Sequence, residues 1–201
     1  MAKPLRIGIL ASTNGTILPD IVAGVMPETE FVVLVTNVPG CGAVAKAREA
    51  DIPVEELAAD GLPRSEWERE CVRILREHAV DLVILVGFMR ILSSEFVRAF
   101  PQRILNVHPS LLPKHAGQAN DAVHAAVLAA GESETGATIH LVTEAVDAGP
   151  ILAQESIPVL PDDTPHTLKT RVQELEAELY PQAIMTVREQ IERSDTASHQ
   201  G

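Results

Sequence analysis

Leu82-Val83-Ile84-Leu85-Val86 is an unbroken apolar run that ends in Gly87-Phe88-Met89-Arg90-Ile91-Leu92. A run of that length without polar alternation predicts a strand buried on both faces, the mark of a parallel sheet with helices packed over it. The flanking sequence repeats the pattern. Upstream, Leu5 to Ala11 predicts a strand running into the polar turn Ser12-Thr13-Asn14-Gly15-Thr16, followed by a helix over Ile17 to Val25. Phe31 to Asn37 predicts a second strand, Ala43 to Ala50 a helix and Pro53 to Leu57 a short third strand. Trp67, Cys71, Ile74 and Leu75 then repeat at helical spacing to about His78. Downstream, Ser93 or Ser94 can cap a helix that Pro101 stops, and Arg103 to Val107 supplies a fifth strand.

Beyond it, Ala122 to Ala130 predicts a helix with Gly131 as C-cap, and Thr138 to Val142 and Pro150 to Val159 predict two strands joined around Asp147-Ala148-Gly149. Thr164 and Pro165 open a last helix, which Tyr180-Pro181 is expected to kink or break before it resumes to about Arg193. The expectation is an α/β fold: a doubly wound, mainly parallel sheet with a late antiparallel strand pair and a C-terminal helix, in one domain over residues 1–193. Residues 194–201 read as a polar, frayed tail.

Composition narrows the partners. With 16 basic and 28 acidic residues the net charge is −12, and no Lys or Arg occurs between His115 and Leu168. Such a surface repels a polyanion, and one Trp, one Tyr and four Phe offer few stacking platforms, so nucleic acid is not an expected partner. No apolar run is long enough to span a bilayer and no export signal is read, which points to the cytoplasm. Cys41 and Cys71 read as free thiols. His78, His115, His124, His166 and His199 show no metal-ligand spacing, so no metal is expected, and His140 on its strand reads as a structural histidine.

In doubly wound sheets ligands bind beyond the carboxyl ends of the strands. Asn106 and His108, at the end of the fifth strand, share a face because side chains alternate, and Pro109 holds His108 in extended backbone. An amide beside an imidazole suits a reaction that builds negative charge on a carbonyl oxygen while a nucleophile loses a proton. Asp147 lies in a turn from which a carboxylate can reach a neighbouring strand end. The turn at Asn14-Gly15-Thr16 has the form of a phosphate cradle before a helix, but it lacks both the dinucleotide and the P-loop glycine patterns.

The string Asn106-Val107-His108-Pro109-Ser110-Leu111-Leu112-Pro113, with Gly136-Ala137-Thr138-Ile139-His140 and Asp147-Ala148-Gly149-Pro150, resembles the folate-dependent formyltransferases from about Leu5 to Ile191. Within that family the resemblance is to the branch that serves purine synthesis. It implies a Rossmann-like formyltransferase fold and transfer of a formyl group from the co-substrate 10-formyltetrahydrofolate to the amine of glycinamide ribonucleotide, in a monomer or homodimer. It assigns Asn106, His108 and Asp147 to catalysis. To the folate it assigns Arg64, Gly87, Met89, Arg90, Ile91, Leu92, Val142 and Thr143, and to the nucleotide substrate Asn14, Gly15, Thr16, Ile17 and Glu176.

The chain departs from the family at Thr13, where Gly is usual, at Ile17, where Asn is usual, at Pro19, and over His115 to Asp121. These changes, in the turn and in the later segment, sit on the acceptor side as the resemblance places it. Two other readings stay open: hydrolysis of 10-formyltetrahydrofolate or transfer to another amine, and a non-catalytic module that binds a folate or nucleotide. The hydrolase is expected to carry an extra N-terminal domain, and enzymes acting on initiator tRNA an extra C-terminal one.

Overall fold

The computed structural model describes residues 3–25, 28–118 and 120–198. Seven strands form one sheet: β1 (Leu5–Ala11), β2 (Thr29–Thr36), β3 (Val54–Glu56), β4 (Leu82–Leu85), β5 (Ile104–His108), β6 (Glu134–Leu141) and β7 (Ile151–Pro158). Their order is β3-β2-β1-β4-β5-β6-β7. The first five strands pair in parallel, β6 is antiparallel to both neighbours, and β3 and β7 are the edges. The helices are α1 (Leu18–Gly24), α2 (Gly42–Glu49), α3 (Arg64–Glu77), α4 (Ser94–Ala99), α5 (Asn120–Ala129) and α6 (Pro165–Ser198).

Side-chain alternation divides the core into two layers. Ile7, Ile9, Leu82, Ile84, Leu105 and Val107 pack with residues of α1, α5 and α6 on one face. Leu10, Val83, Leu85 and Ile104 pack with Trp67, Cys71 and Leu75 of α3 and Phe96 of α4 on the other. Burial on both faces is why these strands read as continuous apolar runs. α4 starts where expected: the Ser93 hydroxyl accepts from the Phe96 amide at 3.2 Å, satisfying one of the helix's otherwise open donors.

Two features of α6 bear on the sequence reading. Pro181 lies inside α6 without ending it. The Tyr180 hydroxyl donates to the Leu85 carbonyl on one side of the proline, and the Pro181 ring lies where Gly24 of α1 leaves room, 2.9 Å from the position a Cβ would take there. Tertiary anchoring thus offsets the lost backbone bond. The same helix runs on to Ser198, into the segment read as tail, and residues 199–201 of that segment lie outside the described residues, as does His199. The late antiparallel pair is β6 and β7, as expected, and β6 also runs antiparallel to β5.

Strand order turns over at β1, which sits between β2 and β4, so the loops after β1 and β4 leave in different directions and open a crevice. Ser12 stitches the crevice. Its hydroxyl donates to Asn37 Oδ1 at 2.6 Å and accepts from the Met89 amide at 3.0 Å. One residue on, Thr13 fills the space beside Gly87, whose φ of +62° and absent Cβ allow the approach; an added Cβ would stand 2.2 Å from Thr13 Oγ1.

Candidate active site

Antiparallel pairing sets Asn106 opposite His140 and His108 opposite Thr138. The Asn106 amide Nδ2 lies 3.2 Å from His140 Nε2. His140 Nδ1 must donate to the Leu141 carbonyl, 3.0 Å away, because that oxygen can only accept. With Nδ1 donating to that carbonyl, Nε2 is the nitrogen left to accept from Asn106, which fixes the Asn106 amide and leaves its second N–H available. Asp147 Oδ1 is 3.5 Å from the same His140 nitrogen, and Asp147 Oδ2 is 3.3 Å from His108 Nδ1. Asn106, His140, Asp147 and His108 thus form one connected polar chain. His140, read from sequence as structural, is a member of it; the correction comes from strand register, which no local pattern encodes.

Asp147 has φ +52° and accepts from the Gly117 amide at 2.8 Å. Burial alone would raise its pKa, but the nearby His140 and His108 rings and the hydrogen bond from the Gly117 amide hold it below the ordinary carboxylate value. His108 is almost fully buried, and burial pushes its pKa below the usual imidazole value against the pull of Asp147 and of the His115 carbonyl. That carbonyl lies 3.1 Å from His108 Nε2. A neutral imidazole has one N–H for two acceptors, and the carboxylate is the stronger. In this structure Nε2 donates to the His115 carbonyl, which can only accept; with that carbonyl displaced by a substrate, the proton rests on Nδ1 beside Asp147 and Nε2 carries the lone pair.

The segment after His108 is held by the late strands. Thr138 Oγ1 donates to the Ser110 carbonyl at 2.6 Å and accepts from the Leu112 amide at 3.1 Å, and the Gln154 amide donates to the Leu112 carbonyl at 3.1 Å. Gly136 is required because a Cβ there would lie 2.0 Å from the Glu155 carbonyl oxygen. Of the divergent segment His115 to Asp121, residue 119 lies outside the described residues.

Two cavities meet at this point. The first, of about 300 Å³, is lined by Asn106, His108, His140 and Asp147 together with Leu85, Gly87, Met89, Arg90, Ile91, Leu92, Val142 and Thr143. Every residue assigned to the folate is here except Arg64. Its guanidinium instead pairs with Glu68 at 3.0 Å, and Glu68 accepts from both the amide and the hydroxyl of Ser93. Arg90 lies over the Trp67 ring at 5.2 Å, and its Nη1 is buried without a protein acceptor. Met89 and Ile91 are exposed at the mouth.

The second cavity, of about 330 Å³, is lined by Thr13, Asn14, Gly15, Thr16 and Ile17 on one side and by His124, Lys169, Gln173 and Glu176 on the other. Gly15 has φ +56° and lies against Ala43, so the turn is pressed onto α2. Gly87, Met89 and Val107 belong to the walls of both cavities. From sequence, Lys169 and Gln173 were not assigned to a substrate and His124 was noted only as lacking metal-ligand spacing; the spacing of 169, 173 and 176 along one helical face was the available signal. Ile17 enters the cavity wall but is only 6% exposed and packs in the core. Its side chain is therefore structural, and an Ile17→Asn change, which the family pattern suggests, would bury an unpaired amide rather than simply add a ligand.

Glu176 is buried, and burial pushes its carboxyl up to about 8 against the opposing charge of Lys169. Folded Glu176 thus stays protonated where the unfolded chain ionises, so its burden on stability grows as pH rises from about 4.5 to about 8. Glu176→Gln is expected to raise Tm at pH 8 and to have little effect at pH 5. A pH-independent difference between the two melting curves would refute this.

Among the described residues no group of three or more His, Cys, Asp or Glu could hold a metal ion. No helix among them is long and apolar enough to cross a membrane.

The family model described as formyl transferase matches residues 5–184. The chain is 41% identical over 187 residues to the "Trifunctional purine biosynthetic protein adenosine-3" of Gallus gallus, covering 91% of this chain but 18% of that relative. It is 33% identical over 184 residues to the "Phosphoribosylglycinamide formyltransferase" of Haemophilus influenzae, covering 89% of this chain and 85% of the relative. The crystal structure of glycinamide ribonucleotide transformylase 1 from Symbiobacterium toebii superposes with a TM-score of 0.86 at 34% identity, covering 92% of this chain and 87% of that one.

Proposed function

The chain belongs to the formyl transferase family, and from that premise we propose that it transfers a formyl group from 10-formyltetrahydrofolate to the amine of glycinamide ribonucleotide. One observation carries the reading: the polar chain Asn106, His140, Asp147, His108 lines a cavity that shares a wall with a second, polar one. A two-substrate transfer needs that juxtaposition, because the reacting atoms must approach to about 3 Å.

The folate takes the first cavity. Leu85, Leu92 and Val142 supply apolar surface for a flat ring, and the buried Arg90 Nη1 awaits an acceptor. The acceptor phosphate takes the turn at Asn14-Gly15-Thr16-Ile17, held by backbone amides and the Thr16 hydroxyl, with Lys169 as counter-charge and Glu176 at the sugar. As the amine attacks, a C–N bond forms and charge collects on the formyl oxygen. The free N–H of Asn106, oriented by His140, donates to that oxygen. His108 Nε2 takes the proton of the attacking nitrogen, in the place now occupied by the His115 carbonyl, and Asp147 stabilises the imidazolium at Nδ1. Collapse breaks the bond to the folate nitrogen, which receives the proton.

The test is to incubate the purified protein with 10-formyltetrahydrofolate, with and without glycinamide ribonucleotide, and follow tetrahydrofolate release spectrophotometrically. Release only with the acceptor is expected, unaffected by exhaustive EDTA. Equal release without it makes the protein a hydrolase, and none in either case makes it a binding module. A cytoplasmic location belongs to the same proposal and is checked by fractionation.

Arg90→Ala is expected to raise KM for the folate by about tenfold or more, the scale of a lost hydrogen bond from a charged group, while the acceptor KM holds. An unchanged folate KM would mean that Arg90 serves only the Trp67 ring.

A further inference from the structure

Glu68, in the first turns of α3, is 6% exposed and takes no part in the chemistry above. A carboxylate so deeply buried is costly unless donors meet it. Three do: Arg64 Nε at 3.0 Å, the Ser93 backbone amide at 3.0 Å and the Ser93 hydroxyl. Ser93 directly follows Gly87-Phe88-Met89-Arg90-Ile91-Leu92, so two of the three donors belong to the residue where the folate loop ends and α4 begins. The adjacent side chain adds to the hold. Trp67 is buried, its indole N–H donates to the Leu57 carbonyl at 2.7 Å, and its ring stacks with Phe88 at 5.8 Å and lies under the Arg90 guanidinium.

The loop is thus pinned at its two ends by different groups. At its start the Ser12 amide donates to the Gly87 carbonyl at 3.1 Å and the Ser12 hydroxyl accepts from the Met89 amide, and Gly87 and Met89 belong to both cavities. At its end Glu68 holds Ser93, and the residues just before it, Arg90, Ile91 and Leu92, line the first cavity and not the second. An apolar side chain at 68 could pack against α4 but would take the acceptor away from the Ser93 amide. Resting on the folate assignment above, we infer that Glu68 is a positioning residue for the folate: by fixing Ser93 from α3, with Arg64 as its counter-charge, it sets where Arg90, Ile91 and Leu92 stand. A wall ordered in advance spares the ligand the cost of ordering it.

The test is steady-state kinetics of Glu68→Ala and Glu68→Gln with each substrate varied, together with calorimetric titration of tetrahydrofolate and acrylamide quenching of Trp67, the one tryptophan of the chain. Glu68→Ala is expected to raise the folate KM by about tenfold, the scale of a lost hydrogen bond to a charged group, while kcat and the acceptor KM hold. The tetrahydrofolate Kd should weaken in parallel, and Trp67 should become more open to acrylamide as Phe88 and Arg90 leave its ring. Glu68→Gln, which keeps one acceptor oxygen for Ser93, should lie between alanine and wild type. An unchanged folate KM or unchanged quenching in Glu68→Ala overturns the inference. So does a rise in both KM values that tracks a fall in Tm, since general loosening would produce it. Equal losses in the two variants overturn it as well, because they follow the charge beside Arg64 and not the hold on Ser93. If the wild type does not formylate glycinamide ribonucleotide, the proposed function fails, and tetrahydrofolate still decides: weaker binding in Glu68→Ala upholds the role of Glu68, and unchanged or absent binding removes it.

Discussion

Alanine at His108 is expected to lower kcat by at least ~10²-fold, the low end for loss of a positioned acid or base. Alanine at Asn106 should cost ~10²–10³-fold, the scale of a lost oxyanion donor. Both side chains act on the same tetrahedral species, so the double variant should lose less than the product of the singles. Far-ultraviolet circular dichroism and Tm, measured alongside, separate catalysis from folding, because His108 is almost fully buried. Losses below ~10-fold at both positions, outside the range for such groups, would assign the pair to strand-end structure. The pH profile adds an independent check. His108 must be neutral at Nε2 to accept the proton, and burial depresses its pKa below 6.5. Activity should therefore rise with pH on an acid limb centred below 6.5 and be fully developed at neutral pH. An acid limb centred above that value would show that Asp147 outweighs burial.

Gly149→Ala should be nearly as damaging, although the residue touches no substrate. A Cβ at this position would stand 1.8 Å from the Leu141 carbonyl oxygen and 3.1 Å from Thr143 Cγ2. The backbone must move, and the part that moves carries Asp147. A displacement of about 1 Å at a catalytic group costs on the order of 10²-fold in rate, and overpacking costs ~1–3 kcal/mol of stability. Tm and kcat are both expected to fall, with KM for the acceptor less affected because the turn that lines its cavity is on the far side of the shared wall. A variant with wild-type kcat would mean that the segment relaxes without shifting the carboxylate.

Much of this was legible in sequence, and for identifiable reasons. The parallel strands announce themselves because residues such as Ile9 and Ile84 on one face and Leu10 and Val83 on the other are all buried, which leaves no polar alternation. Asn106 and His108 were paired by the two-residue period alone. His140 was not, because its partner Asn106 is 34 residues away and only the β5–β6 register brings them together. Arg64 stands outside the cavity lining because Glu68, one helical turn on, pairs with its side chain. Pro181 did not break α6, and packing at Gly24 and Leu85, distant in sequence, holds the helix on either side of it. His124 needed the position of α5 over the turn, information that helical periodicity does not hold.

Gly87, Met89 and Val107 are common to both cavities, and the Ser12 hydroxyl ties the Met89 amide to the strand end from which the turn departs. Ligands on either side of such a wall are linked thermodynamically. Whatever factor a sugar phosphate imposes on folate affinity, the folate must impose on the sugar phosphate, since the cycle of four states closes. Two titrations in opposite order therefore have to return the same ratio. Rates are under no such constraint, so a preferred order of addition can coexist with an equilibrium that has no order at all.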